Sequence, residues 1–261
     1  MIYSLVIAAS IVVAGLTFFS GFGLGTLLMP MFALFFPVQI AVAATAIVHL
    51  ANNVFKVAIV GKHARKRLVL LFGVPAALAA TAGAWLLWYL SDLQPMMTYS
   101  LFDRAFAISP VKLTIGVLMI VFAVFELSPA LDRYSMSPKW VPLGGILSGF
   151  FGGLSGHQGA LRTIFLSHLG LSKEQFVGTI ATVAMLVDIV RISVYGLTVF
   201  RKHFSQIDHT SVTLVIAASA AAFLGSFIGS RLLTKITMRG LRTIIGTLLL
   251  LLGIALGSGI I

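Results

Sequence analysis

A histidine, two asparagines and a lysine interrupt an otherwise apolar stretch at His49, Asn52, Asn53 and Lys56. The spacing i, i+3, i+4, i+7 stacks all four on one face of a helix, and that face must meet protein or water rather than lipid. A charge at the centre of a bilayer costs at least about 2.5–3.5 kcal/mol on insertion scales, so such residues are candidate functional groups by default. The competing reading of Lys56 is a stem that snorkels from the helix end to the interface. A second apolar stretch carries Asp188 and Arg191 three residues apart, with Tyr195 one turn further on. The two charges can pair along their own helix. They then either hold helices together or line a cavity where the cation is released to a ligand.

Arg162 stands just beyond a dense glycine cluster, in His157-Gln158-Gly159-Ala160-Leu161-Arg162-Thr163, with no acidic residue in that segment. An unpaired buried guanidinium attracts an oxyanion, and its planar fork suits sulfonate, sulfite, carboxylate or phosphate. A half-helix starting near Gly156 would add backbone donors and a favourable dipole. The alternatives for Arg162 are pairing with Asp188 and reaching the interface. The expected anion ligands are therefore Arg162 with Gly156, His157, Gln158 and Gly159, joined by Gly23 and Gly25 of an earlier glycine cluster and by Asn52, Asn53 and Lys56. His49, His157, Asp188 and Arg191 are the candidates for proton coupling or gating, the histidines because imidazole titrates near neutrality.

Other chemistries fit poorly. The glycines precede no P-loop Lys-Ser/Thr and no dinucleotide pattern. His157 and His168 lack a further ligand at zinc spacing, and Ser155 beside His157 is sequence adjacency without an elbow motif. No cysteine is present, which removes thiolate metal sites and disulfides. No cofactor is expected, and no enzymatic activity.

These residues have to be positioned by membrane helices. Of 261 residues 59% are hydrophobic and 10% charged, against roughly 45–50% and 25% in soluble domains. Apolar runs of spanning length recur throughout, from Ile2 to Phe36, Val38 to Val60, Leu68 to Leu90, Val111 to Phe125, Val141 to Leu171, Gln175 to Phe200, Ser211 to Leu233 and Leu241 to Ile261. The first lacks a basic leader and reads as a retained span rather than a signal peptide. The net charge of +11 is scattered over short loops, which orients a membrane protein and gives no nucleic-acid surface. The fold class expected is an all-α polytopic membrane protein in a lipid bilayer.

Two stretches exceed 30 residues, and each is broken by glycines, at Ser20-Gly21-Phe22-Gly23-Leu24-Gly25 and between Gly149 and Gly159. Each is expected to be a discontinuous or re-entrant helix. After each break the chain repeats: Ala41 to Ala46 lies over Phe176 to Ala181 at a shift that also sets Asn53 over Asp188 and Lys56 over Arg191. The organisation expected is a first repeat at 1–126, a connecting loop at 127–140 and a second repeat at 141–261. If both breaks turn back, one side collects Lys62, Arg65, Lys66, Arg67, Arg133, Lys139, Lys173, Lys235, Arg239 and Arg242, against Arg104, Lys112, Arg201 and Lys202 on the other. That asymmetry favours inverted repeats with the Gly61 to Arg67 loop cytoplasmic. Eight spans with two kinked, tilted helices are the alternative.

The chain resembles the sulfite exporter TauE/SafE family of membrane permeases over nearly its whole length. The resemblance is carried by Gly21-Phe-Gly-Leu-Gly25-Thr-Leu-Leu-Met-Pro30, by the Ala41 to Lys56 helix after Pro37, and most specifically by Leu147-Ser-Gly-Phe-Phe-Gly-Gly-Leu-Ser-Gly-His-Gln-Gly159-Ala-Leu-Arg162. Met29-Pro30 stands where that family has Val-Pro, and Thr163 and Ile164 replace the equivalent proline of the second half. The resemblance implies transport of sulfite, organosulfonates or related small anions, commonly outward, in the bacterial cytoplasmic (inner) membrane. The leading expectation is a secondary transporter coupled to an ion gradient, with the proton as the candidate coupling ion. A passive anion channel is the runner-up, and a membrane-embedded enzyme is third.

Overall fold

The computed structural model describes residues 2–16, 24–101, 103–128, 136–200, 209–232 and 238–261. Gly23 and most of the first glycine cluster lie outside them. The helices are α1 (Ile2–Leu16), α2 (Leu24–Ala33), α3 (Val38–Val60), α4 (Lys66–Ser91), α5 (Pro110–Leu127), α6 (Val141–Ser155), α7 (Gly159–Leu166), α8 (Lys173–Tyr195), α9 (His209–Leu232) and α10 (Met238–Gly257). Five segments, Val38–His63, Lys66–Ser91, Pro110–Leu127, Lys173–Thr198 and Val212–Gly229, are long and apolar enough to cross a membrane. The protein is an all-α polytopic membrane protein, as its composition requires.

Local sequence sets several helix ends. Ser109 accepts a hydrogen bond from the Lys112 amide at 3.4 Å, and Pro110 takes the first helical position of α5, where its missing N–H is not needed. A reciprocal cap opens α8: the Gln175 amide donates to the Ser172 hydroxyl at 3.3 Å, and the Ser172 amide donates to the Gln175 side chain at 3.2 Å. Helix α6 ends where Gly156 adopts φ +80°, a left-handed conformation that closes the helix and that a side chain would strain.

In lipid there is little hydrophobic drive between helices, so close packing of small residues has to hold them together. Helix α6 meets α4 through Gly145, Gly149 and Gly153, one per turn, against Phe72, Ala76 and Ala80. A Cβ on Gly149 would sit 1.9 Å from the Ala76 carbonyl oxygen. Similar contacts join Gly225 and Gly229 of α9 to Ile11 and Gly15 of α1, and Gly116 of α5 to Gly253 and Gly257 of α10. Gly149→Ala must push α4 and α6 apart and should lower the thermal unfolding midpoint, by an amount equivalent to about 1–3 kcal/mol of overpacking. Gly196→Ala, where a Cβ would meet nothing within 4 Å, is the control. Equal midpoints for the two variants in detergent would refute this account of the interface.

These contacts also fix directions. Helices α4 and α6 run the same way, since Gly145 faces Phe72 and Gly153 faces Ala80. Helix α7 then comes back along α6: Phe165 covers Gly144, Gln158 covers Gly152, and the Ser148 hydroxyl donates to the Gln158 carbonyl at 3.0 Å. Helices α3 and α8 are antiparallel, with Val60 beside Gly178 and Asn53 beside Asp188. The end of α3, the start of α8 and the open end of the α6–α7 pair therefore share one end of the molecule. At the other end Tyr99 donates to the Ser258 carbonyl at 2.7 Å, and Gly259 rests against Ala107.

Two features depart from expectation. The segment between α4 and α5 contains an antiparallel hairpin, β1 (Met97–Leu101) with β2 (Arg104–Ile108), turning at Asp103 with φ +60°. Its sequence has no Asn-Gly or Asp-Gly turn signal. The second is Glu126. A carboxylate at the end of an apolar run is expected to be a solvated cap, as are Asp103 and Arg104, but Glu126 is 6% exposed and accepts from Arg242 Nε of α10 at 3.1 Å. The cause is the close approach of α5 and α10 through their glycines, which brings the two termini together.

Candidate anion-binding site

The polar face of α3 and the Asp188–Arg191 face of α8 meet where α6 breaks to α7. Asp188 is fully buried and accepts on both carboxylate oxygens. One takes His49 Nδ1 at 2.7 Å and Asn53 Nδ2 at 3.0 Å; the other takes Arg191 Nε at 3.0 Å and Gln158 Nε2 at 3.4 Å. Because an ionised carboxylate only accepts, the network assigns the proton to His49 Nδ1. Asn53 Nδ2, 3.0 Å from that nitrogen, then bonds the carboxylate rather than the ring. Asp188 thus joins α3, α8 and the α6–α7 connection through side chains that stand far apart in sequence.

Arg191 extends the stitch. Its NH2 lies 2.8 Å from Asp188, and its NH1 donates at 3.0 Å to the carbonyl of Gly152, in the last turn of α6. Tyr195, one turn along α8, donates to the neighbouring Gly153 carbonyl. The Gly152 carbonyl also accepts the Gly156 amide that closes α6, at 3.0 Å, so Arg191 takes its second lone pair. The pairing of Asp188 with Arg191 expected along one helix is present, and it also fastens α8 to the helix break.

Arg162 is placed differently. It is 1% exposed, one turn into α7, and its NH1 donates to the Ile180 carbonyl at 3.3 Å while Nε has no partner. Among the described residues no carboxylate lies within ion-pair distance of it. Lys56, also buried, is near enough to Arg162 for the two to repel. Among the described residues the centre thus sets two buried guanidinium groups, Arg162 and Arg191, beside the single carboxylate of Asp188, with Lys56 in range of Arg162. Such an excess of buried basic groups is unfavourable unless an anion completes it.

Further hydrogen-bonding atoms here are buried without partners. Asn52 sits away from Asp188: its side-chain oxygen accepts from Ser226 of α9, and its Nδ2 has no partner. His157 Nδ1 lies 3.1 Å from the Ser155 hydroxyl, which itself donates to the Phe151 carbonyl at 3.0 Å. The proton is therefore on Nδ1, and Nε2 is left without a partner. The His157 ring stacks on Phe122 at 5.8 Å and 10°, which fixes its plane. Gly159 opens α7, whose first amides have no intrahelical acceptors. Gly25, in the first turn of α2, approaches the same place: a Cβ there would lie 3.4 Å from the Gly156 carbonyl and 3.6 Å from the His49 ring.

The expected residues Gly25, His49, Asn53, Gly156, Gln158, Asp188 and Arg191 are thus joined in one chain of contacts. Arg162 and Lys56 stand in electrostatic range, Asn52 belongs to the α3–α9 contact, and Gly23 lies outside the described residues. Sequence reasoning missed Ser226, Ser148 and Phe122. A lone serine or phenylalanine in an apolar helix carries no signal until a partner faces it. No group of three or more potential metal ligands occurs among the described residues.

No curated protein and no solved structure gives a significant match to the chain. A family model does, the sulfite exporter TauE/SafE model, which matches residues 6–256. With nearly its whole length matched, the chain belongs to the sulfite exporter TauE/SafE family, a family of membrane transporters.

Proposed function

We propose that this protein is a secondary transporter that exports small sulfur-containing anions such as sulfite or organosulfonates across the bacterial inner membrane. The anion binds at mid-membrane between the two glycine breaks. The observation that carries the reading is the pair of buried guanidinium groups, Arg162 and Arg191, beside the carboxylate of Asp188, with Arg162 Nε still lacking a partner. A pyramidal or tetrahedral oxyanion supplies acceptors for such donors. The α7 dipole and first-turn amides add to the attraction. Family membership supports the substrate class.

The architecture we infer is two inverted repeats, 1–126 and 141–261, joined by 127–140, each opening with a re-entrant helix pair. Equal lengths support it: α3 and α8 each have 23 residues. So does the bond between Asn53 and Asp188, 135 positions apart and equivalent under the repeat. Equivalent residues touch only near a twofold axis. The end of the molecule holding Lys62, Arg65, Lys66 and Arg67 is cytoplasmic by the positive-inside rule.

The topology has a direct test. Ser137 and Ser167 are exposed at the two ends of the α6–α7 pair, and the chain has no native cysteine. Single Ser137→Cys and Ser167→Cys variants should react with an impermeant maleimide from the same side of the membrane. Labelling from opposite sides would make the pair a crossing helix. The function is tested by screening sulfite, sulfoacetate, taurine, thiosulfate and sulfate for binding, then measuring flux of the best ligand in proteoliposomes. Saturable flux that follows a proton gradient supports the carrier; current indifferent to that gradient would mean a channel.

A further inference from the structure

A cavity of about 380 Å³ opens away from the polar centre, between the start of α4 and the open end of the α6–α7 pair. Arg65 and Arg67 supply its charge, and Leu68, Leu71, Val141 and Leu169 line it with hydrocarbon. Both arginines are exposed, and among the described residues neither is in an ion pair. The Arg65 backbone is nonetheless fixed, because its amide donates to the Thr179 hydroxyl at 2.9 Å.

The lining decides what fits. Val141 belongs to a buried apolar cluster with Phe72, Phe165 and Leu166. A small anion held at the arginines would therefore meet a dry wall, with no polar path towards Arg162. An amphiphile meets both requirements, a phosphate for the two guanidinium groups and a hydrocarbon chain for the leucines. The position agrees, since the spanning segment Lys66–Ser91 begins at this cavity, at headgroup level. We propose that the cavity binds one anionic phospholipid, its phosphate between Arg65 and Arg67 and an acyl chain along Leu68, Leu71 and Leu169. The lipid would brace the returning helix α7 against α4. The proposal stands independently of the transported substrate.

The test uses the full chain, purified and delipidated in detergent, then titrated with phosphatidylglycerol or phosphatidylcholine and examined by native mass spectrometry. Wild-type protein should retain one phosphatidylglycerol per chain in preference to phosphatidylcholine. Arg65→Gln/Arg67→Gln should weaken that binding about tenfold or more, while Arg65→Lys/Arg67→Lys should keep most of it. Millimolar inorganic phosphate should not displace the lipid. Equal retention of the two lipids by wild type, undiminished retention in a folded Gln/Gln variant, or ready displacement by phosphate would each overturn the proposal. The last result would make the cavity a small-anion site. If the Gln/Gln variant does not fold, the lipid preference and phosphate competition of the wild-type protein decide.

Discussion

Arg162→Ala should lose on the order of 2–5 kcal/mol of anion binding, while the protein still folds. The two halves of that expectation have separate causes. The binding loss follows from a buried guanidinium with an unpartnered Nε and no carboxylate in ion-pair range among the described residues. Its net charge and its fork are then available to a ligand. Folding survives because removing Arg162 strands no charge. It releases only a 3.3 Å bond to the Ile180 carbonyl, and it relieves repulsion with Lys56. Arg162→Lys keeps the charge without the planar fork and should fall between. Calorimetry with the best anion from the screen measures all three proteins. Wild-type affinity in a well-folded Arg162→Ala variant would make this arginine structural.

Asp188→Ala should behave in the opposite way, with stability as its main casualty. The carboxylate accepts four side-chain bonds from His49, Asn53, Gln158 and Arg191. Its loss leaves Arg191 buried without a counter-charge, in a centre that already holds Arg162 and Lys56. Removing one partner of a buried pair typically costs about 3–5 kcal/mol. The expected result is a poor yield of monodisperse protein and a strongly lowered thermal midpoint. Asp188→Asn keeps the shape but not the charge and should be milder. Adding Arg191→Gln to Asp188→Asn should recover part of the loss, because the charge stranded at position 191 is then removed. A wild-type midpoint for Asp188→Ala would mean that the network does not hold α3, α8 and the α6 end together.

How far the sequence alone reached follows from the range of each interaction. The membrane class was legible in composition and run length. The shared face of His49, Asn53 and Lys56, and the pairing of Asp188 with Arg191, were legible because helical periodicity is local. What joined them was not. That Asp188 draws two partners from α3 and one from the α6–α7 connection depends on registers between helices. Those registers are set by contacts such as Gly149 against Ala76 and Gly178 against Val60. A glycine in a sequence shows that close approach is possible without naming what approaches. The same limit hid the Glu126–Arg242 pair and the Ser226 bond to Asn52. The β1–β2 hairpin escaped for another reason: its turn at Asp103 uses a residue that only tolerates positive φ, so no dipeptide announced it.

The central claim is that a sulfur-type oxyanion sits in the buried basic centre beside Arg162. Selenite has the charge and pyramidal shape of sulfite and contains an anomalous scatterer. The most direct measurement is therefore an anomalous difference map from crystals of the protein soaked with selenite. The account predicts a peak within hydrogen-bond reach of the Arg162 guanidinium, beside the start of α7, and its disappearance in Arg162→Ala crystals. A peak at surface loops alone, or one that persists unchanged without Arg162, would contradict it.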